Sequence, residues 1–157
     1  MKRLPVVITL ALAVVLTLSA GAAAESRTWV AHLSGGSEVP SVDTLSQGQA
    51  IFRLNSNGTE LYYKLIVANL ENTRVSHIHL APAGVNGGVV VFLYGPELIE
   101  GRFSGVLAEG VISDADLIGA LAGHPLSHLI EHFESGDAYV NVHTPAYPGG
   151  EIRGQIR

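Results

Sequence analysis

The feature that most constrains the fold of this 157-residue chain is a series of short apolar segments separated by glycine, asparagine and proline. Short segments rich in Val, Ile, Leu and aromatic residues, bounded by turn-forming residues, are typical of β-strands. Asn57 and Gly58 favour a tight hairpin, so the strands on either side should pair antiparallel. The predicted strands are residues 28–33, 48–54, 60–67, 75–80, 89–93, 103–111, 138–144 and 151–156. About eight antiparallel strands predict an all-β fold, a Greek-key β-sandwich or barrel.

One stretch near residues 113–134 departs from the strand pattern and predicts a short helical insertion. Ser113 and Asp116 have the spacing of a capping box, which predicts the start of a first helix that Gly123 would end. Residues 126–133 predict a second short helix with one apolar stripe. The stripe consists of Leu126, Leu129, Ile130 and Phe133. We expect both helices to cover an open end or an edge of the sandwich.

The N-terminus has the pattern of a secretory signal peptide. Lys2 and Arg3 precede an apolar run over residues 4–18, and small residues lead up to Glu25. An uncleaved anchor is the alternative, because the run is near the shortest length that spans a bilayer. Residues 1–24 are therefore predicted as the signal peptide and residues 25–157 as one domain of a secreted or periplasmic protein.

The charge balance and the absence of cysteine exclude several classes of function. Removal of Lys2 and Arg3 with the signal changes the formal net charge from −5 to −7, with histidines neutral. Neither nucleic acid nor an anionic membrane surface is expected as a partner of such a protein after signal cleavage. The chain has no cysteine, so disulfides, Fe–S clusters and thiol chemistry are excluded.

Three histidines in two predicted strands form a candidate metal site. Side chains two residues apart in a strand point to the same face, so His77 and His79 of V-S-H-I-H-L project together. Asn141 and His143 of Y-V-N-V-H-T do likewise. Three imidazoles favour copper first and zinc second, whereas magnesium and calcium prefer carboxylates. If the three bind one ion, their ligating nitrogens should lie within about 4 Å of one another.

The same histidines also have a purely structural interpretation. One imidazole of the H-x-H pair could hydrogen-bond a loop carbonyl while the other packs, with no metal present. Core histidines with satisfied hydrogen bonds usually occur singly, which favours the metal interpretation, but the sequence leaves both open.

The Pro-Gly-Gly sequence at residues 148–150 predicts a tight turn that places Glu151 and Arg153 beside the strand of Asn141 and His143. In a functional interpretation, Arg153 attracts an anion to the mouth of the site and is the candidate catalytic residue. Glu151 or Asn141 would then fix an imidazole tautomer. In a structural interpretation these side chains form an ion pair or a hydrogen-bonding clamp on the loop. Both interpretations stay open.

A second histidine group lies in the helical insertion. His124, His128 and His132 stand four residues apart, so they share one helical side and could form a weak second metal site, although exposed histidines are commonly plain surface. No nucleophile elbow, P-loop or dinucleotide fingerprint is present, so hydrolase chemistry is the least favoured class.

Four phrases of the chain resemble the chordin-type domain, CHRD. They are L-S-G-G-S-E-V-P at 33–40, H-I-H-L-A-P-A-G-V-N-G at 77–87, D-L-I-G-A-L-A-G at 116–123 and A-Y-V-N-V-H-T-P-A-Y-P-G-G-E-I-R-G-Q-I at 138–156. The resemblance spans nearly the whole mature chain in the right order. It implies an all-β extracellular domain, found in bacterial exported proteins and in animal chordin, without implying a settled biochemical activity.

The histidine arrangement is also similar to the copper site of Cu,Zn superoxide dismutases, in which an H-x-H pair and a distant strand histidine hold copper. This chain lacks the bridging histidine, the zinc loop and the disulfide of that family, so the similarity concerns the site alone. Two hypotheses follow. The first is a copper-binding exported protein with superoxide dismutase-like redox activity. The second is a non-catalytic extracellular module that binds another protein or a surface polymer and whose histidines are structural.

Overall fold

The computed structural model describes residues 27–157, so the predicted signal peptide lies outside the described residues. Eight strands carry the fold, in agreement with the predicted all-β class. They are β1 Thr28–Ser34, β2 Gln47–Leu54, β3 Leu61–Thr73, β4 Val75–Leu80, β5 Gly88–Tyr94, β6 Ile99–Ile112, β7 Ala138–His143 and β8 Ile152–Gln155. One α-helix, α1, spans Leu126–Ser135 between β6 and β7.

The eight strands form one antiparallel sheet with the order β5-β4-β7-β8-β1-β2-β3-β6. Strands β5 and β6 are the two edges, and they approach each other so that the sheet curls into a nearly closed barrel. Hairpins join β1 to β2, β2 to β3, β4 to β5 and β7 to β8, whereas the connections from β3 to β4 and from β6 to β7 cross several strands. This topology agrees with the predicted Greek-key barrel.

The core fills the inside of the barrel because every second side chain of most strands is apolar. Phe52, Leu65 and Ile78 are fully buried at its centre. The stripe of α1 completes this core, where the ring of Phe133 packs edge-on against Trp29 at 5.6 Å and Phe52 at 5.1 Å between centroids. The predicted second helix is therefore confirmed.

The predicted first helix is wrong, because residues 114–121 form only two short 3₁₀ turns, Asp114–Asp116 and Gly119–Leu121. The capping box of Ser113 and Asp116 does form. Gly119 then adopts a φ of 59°, and the Ile118 amide donates to the Val90 carbonyl of β5 instead of to a helical partner. A left-handed glycine and a hydrogen bond to the sheet stop the helix after one turn.

Strand β3 runs six residues beyond its predicted end at residue 67. Asn69 and Asn72 have φ values of 61° and 55°, and the pairing with β6 shifts register around them. These asparagines form β-bulges, which bend the strand and let pairing continue. These asparagines follow the predicted end of the strand, but in the structure they mark bends within one longer strand.

Candidate metal centre

The three predicted ligands lie on one face of two neighbouring strands. β4 and β7 pair antiparallel, with His77 opposite Asn141 and Val75 opposite His143. One ring nitrogen from each of His77, His79 and His143 lies within 4.8 Å of the other two. The three side chains therefore face one space, with a spread wider than the roughly 4 Å expected for ligands of a single ion.

The alternation of side chains in the two strands explains why the histidines meet. Ile78 and Val142 point into the barrel and belong to its core. The histidines must then project from the outer side of the sheet, where His77 and His79 are each 8% exposed and His143 is 9% exposed. Loops cover this outer face and bury the site.

His79 presents a lone pair into this buried space. Its Nδ1 lies 2.9 Å from the backbone oxygen of Gly87, in the loop between β4 and β5. A carbonyl only accepts, so Nδ1 carries the proton of the neutral ring and Nε2 keeps its lone pair. This Nε2 is buried and has no hydrogen-bond partner among residues 27–157. The ring also stacks on Tyr139, with centroids 4.8 Å apart and planes 8° apart.

His143 has the same tautomer for the same reason. Its Nδ1 lies 3.0 Å from the backbone oxygen of Pro148, in the loop between β7 and β8. Its Nε2 faces Nδ1 of His77 at 3.2 Å. The nitrogens available to an ion are therefore Nε2 of His79, Nε2 of His143 and Nδ1 of His77. A carbonyl that holds the opposite ring nitrogen is the usual arrangement of a metal-binding histidine.

Burial lowers the pKa of all three histidines. Desolvation, aided by the charges of His143 and His79, lowers the pKa of His77 from 6.5 to about 4. Burial also lowers the pKa of His79 and of His143, and in each case the hydrogen bond to a loop carbonyl opposes the shift. The nearby side chain of Asn141 opposes the shift of His79 as well, but the two side chains do not reach hydrogen-bonding geometry, and a neutral Nε2 has no proton to donate to the amide oxygen. All three imidazoles are thus neutral at pH 7, which is the form that coordinates a metal.

This donor set fits a copper or zinc ion. Nitrogens about 2.0 Å from one ion lie within about 4 Å of one another, so the 4.8 Å spread is about 0.8 Å too wide. Binding of one ion by all three nitrogens therefore requires at least one imidazole to move. The cluster contains no carboxylate within residues 27–157, so magnesium and calcium fit poorly.

Arg153 lies on β8 on the same face and is 1% exposed. Its guanidinium donates to the backbone oxygens of Pro82 at 3.2 Å and Val85 at 2.9 Å, and to Oδ1 of Asn86 at 3.2 Å. It also lies 3.4 Å from the centroid of the Tyr139 ring. These contacts hold the loop that follows β4, whereas the predicted attraction of an anion stays a prediction.

Glu151 acts as a clamp between loops. One carboxylate oxygen accepts hydrogen bonds from Thr44 at 2.9 Å and Ser46 at 2.6 Å, and the other accepts from Thr144 at 2.7 Å. These partners are hydroxyls, so the structural interpretation describes Glu151. Of the two candidates for fixing an imidazole, Asn141 is the one that contacts a histidine.

Two functional neighbours, Glu38 and Tyr139, were missed by sequence reasoning. Glu38 is 6% exposed, and burial raises its pKa to about 7 although the charge of Arg153 opposes the rise. It lies in the phrase at 33–40 that resembles the CHRD domain, but that resemblance gave no role to the carboxyl group. Strand alternation could have found Tyr139, because it lies two residues before Asn141 on the same face.

The second histidine group does not form a three-ligand cluster in the part of the chain that the structure describes. The rings of His124 and His128 stack with centroids 4.7 Å apart, on the side of α1 opposite its buried stripe. The surface interpretation of this group is favoured.

The model of one protein family, the CHRD domain, matches residues 29–156 of the chain. No solved structure matches it. None of the helices within residues 27–157 has the length and hydropathy that a membrane span requires. The matched range contains all eight strands and the three converging histidines. This chain therefore belongs to the CHRD domain family.

Proposed function

We propose that this CHRD-domain protein binds copper through His77, His79 and His143. The observation that carries the proposal is Nε2 of His79, a buried lone pair without a partner among the described residues. If the ring adopted the other tautomer, it would lose its hydrogen bond to the Gly87 carbonyl. The lone pair therefore stays on Nε2. A metal ion is the partner that such a nitrogen lacks.

Copper is proposed over zinc on the chemistry of the donors. Divalent copper binds a given nitrogen site more tightly than zinc does, and imidazole suits both ions. Zinc is the alternative. Two loop carbonyls fix the rings of His79 and His143, so His77 is the ring that has to reorient when the ion enters.

The finer proposal concerns redox activity. Copper supplies one-electron chemistry when bound, and we propose superoxide as its substrate. The positive charge of Arg153 on the same face supports attraction of an anion, while the net charge of −7 after signal cleavage opposes fast capture. Arg153 must therefore attract superoxide through the positive field close to the site, against the net charge of the protein.

A non-catalytic binding module is the second candidate, and one contact favours it. Nδ1 of His77 can donate to Nε2 of His143 across 3.2 Å, which pairs two of the histidines without any ion. The family resemblance to an extracellular module supports it as well. A purely structural role for the histidines leaves the unpaired Nε2 of His79 without an explanation.

The metal proposal is tested on tag-free protein spanning residues 25–157, incubated with one equivalent of copper or zinc and then dialysed. We expect one copper per chain for the parent. The variant His143→Ala should lose bound copper, while His32→Ala, which changes an exposed histidine, should keep it. A parent protein free of metal at micromolar copper would overturn the proposal.

The redox proposal is tested by superoxide consumption, measured against an equal concentration of free copper. Activity above that blank separates an enzyme from a copper carrier. If Arg153 attracts superoxide, the rate should fall as salt rises, because screening weakens electrostatic capture. A copper-loaded protein that consumes superoxide no faster than the blank would be a carrier or store.

Export is proposed from the signal-peptide pattern and from the extracellular occurrence of the family. The intact mass of protein recovered outside the cytoplasm should correspond to a chain that begins near Glu25. Recovery of the full-length chain in the membrane fraction would support the uncleaved anchor instead.

A further inference from the structure

The side chain of Asn141 lies at the centre of the histidine cluster. It is 2% exposed and stands directly opposite His77 in the pairing of β4 with β7. His143 follows two residues later on the same strand and face, and His79 is a diagonal neighbour on β4. An ion held by the three imidazoles would therefore be bound beside this amide.

The amide oxygen faces a nitrogen that has no proton to give. Oδ1 of Asn141 lies 3.0 Å from Nε2 of His143, whose ring proton is on the other nitrogen, bonded to Pro148. Two acceptor atoms therefore face each other in a buried place. Nδ1 of His77 offers one proton to the same nitrogen, which leaves the amide oxygen unpaired. A cation in contact with both atoms removes this conflict.

The surroundings of the amide nitrogen of Asn141 support the orientation in which the amide oxygen faces His143. A side chain at Gly150 would collide with the carboxyl group of Glu38 and would lie 3.0 Å from Nδ2 of Asn141, so both groups border one small space. Oε1 of Glu38 is buried without a partner among residues 27–157. The amide nitrogen, a donor, thus faces the side where an acceptor is unpaired, and the oxygen faces the histidines.

We propose that Oδ1 of Asn141 is a fourth donor to the metal, which makes the site three imidazole nitrogens and one amide oxygen. This inference rests on the proposed metal function. An oxygen donor is harder than imidazole and favours Cu(II) over Cu(I). The residue thereby biases the oxidation state of bound copper, a property that three imidazoles alone would not give.

Affinity alone does not separate a ligand from a hydrogen-bonding neighbour, because loss of either weakens metal binding by roughly 10-fold to 100-fold. The test therefore compares the two oxidation states. Asn141→Leu removes the oxygen at similar volume, and Asn141→Asp keeps an oxygen donor. We expect Asn141→Leu to weaken Cu(II) binding about 10-fold while Cu(I) binding changes less than about 3-fold. Asn141→Asp should retain Cu(II) binding.

A measurement on the parent removes any dependence on how the variants fold. Protein labelled with ¹³C at the asparagine side-chain carbonyl is loaded with Cu(II) and studied by electron–nuclear double resonance. A bound amide oxygen predicts a ¹³C coupling from the adjacent carbonyl carbon. Absence of that coupling, or equal losses of Cu(II) and Cu(I) affinity in Asn141→Leu, would overturn the inference while the copper site stands. A parent that binds no copper would instead overturn the proposed function.

Discussion

At the scale of single residues, two loop carbonyls decide what the histidines can do. The carbonyls of Gly87 and Pro148 each accept a hydrogen bond from an Nδ1–H group, so His79 and His143 both present Nε2 to the same space. A donor side chain at either position would have held the opposite tautomer and closed the site to a metal. The chemistry of the centre therefore depends on backbone atoms as much as on imidazoles.

Glu151 should be among the most sensitive single positions for stability. It is 4% exposed and accepts hydrogen bonds from three hydroxyls, so Glu151→Ala leaves buried donors unpaired. We expect a loss of about 2–4 kcal/mol in the free energy of unfolding. Urea unfolding followed by the fluorescence of Trp29 measures it.

The matched control is Glu109→Ala, which removes an exposed carboxylate 3.2 Å from Lys64. Exposed ion pairs contribute little, so this change should stay within about 0.5 kcal/mol of the parent. Equal effects of the two variants would contradict the role of Glu151 as a clamp.

The alternation of strand residues was enough to predict that His77 and His79 share one face and that Asn141 and His143 share another stretch of sheet face, but not that the two strands pair. His77 and His79 share a face because of their spacing alone. Their tautomers could not be predicted, because the carbonyls of Gly87 and Pro148 reach the rings only through the path of two loops. The contact between Asn141 and His143 could be predicted only in part. Their spacing placed the two side chains on one face, but it did not give the direction of the amide.

At the scale of elements, the loop that joins β4 to β5 holds one side of the site. This loop supplies the Gly87 carbonyl to His79, the Gly87 amide donates to the hydroxyl of Tyr139 at 3.2 Å, and Arg153 holds the preceding residues. The loop is thus fixed from both of the strands that flank the site. Small shifts of the loop backbone should therefore change the position of His79 and the geometry of the metal site.

Gly87→Ala tests this dependence. A Cβ at Gly87 would collide with the backbone of Leu80 and lie 2.9 Å from Cβ of Ala81, so the loop must move away from His79. We expect copper affinity to fall by roughly 10-fold or more, as measured by competition with a chelator. Gly88→Ala is the control, because nothing lies within 4 Å of its added Cβ. Equal copper affinities of the two variants would contradict the role of this loop in positioning His79.

Helix α1 should contribute to stability chiefly through Phe133. Its ring is 1% exposed and packs on Trp29 and Phe52, so Phe133→Ala leaves a cavity in the barrel. We expect a loss of about 3–5 kcal/mol in urea unfolding. Leu45→Ala, at a side chain 84% exposed, should have almost no effect. A small loss for Phe133→Ala would show that α1 is only peripheral.

The two predicted helices show where local sequence signals fail. The apolar stripe of α1 has helical spacing and a glycine end signal, Gly136 at φ 76°, and it formed as predicted. The segment from Ser113 to Gly123 has an equally good start, but Ile118 hydrogen-bonds to β5. Such a tertiary hydrogen bond cannot be read from the segment itself.

At the scale of the whole molecule, the barrel brings residues from distant parts of the chain to one buried polar face. The order of the strands places β4, β7 and β8 side by side although 57 residues separate the end of β4 from the start of β7. Strand number could be predicted from the turn signals, whereas this order could not, because many pairings satisfy the same alternation. The convergence of the site depends on that order.

The metal-free protein should lose stability as pH falls from 6.5 to about 4. His77 has a folded pKa of about 4 against 6.5, so in this range the unfolded chain binds a proton that the folded chain does not. This shift corresponds to about 3 kcal/mol. The lowered pKa values of His79 and His143 act in the same direction. Urea unfolding in the presence of a chelator measures the loss.

Glu38 acts in the opposite direction and provides the control. Its folded pKa is about 7 against 4.5, so it stabilises the fold at low pH and this contribution is lost as pH rises through 7. Glu38→Gln should therefore lose stability more steeply on acidification than the parent does. An unchanged or shallower slope would contradict the assignment.

The three-histidine site is tested most directly by the X-ray absorption spectrum of the copper-loaded mature protein, which counts the imidazole rings around the ion. We expect one copper per chain with three imidazoles at about 2.0 Å, and the loss of one ring or of the copper in His79→Ala. Copper bound by fewer than three rings, or an unchanged spectrum in His79→Ala, would contradict the three-histidine site.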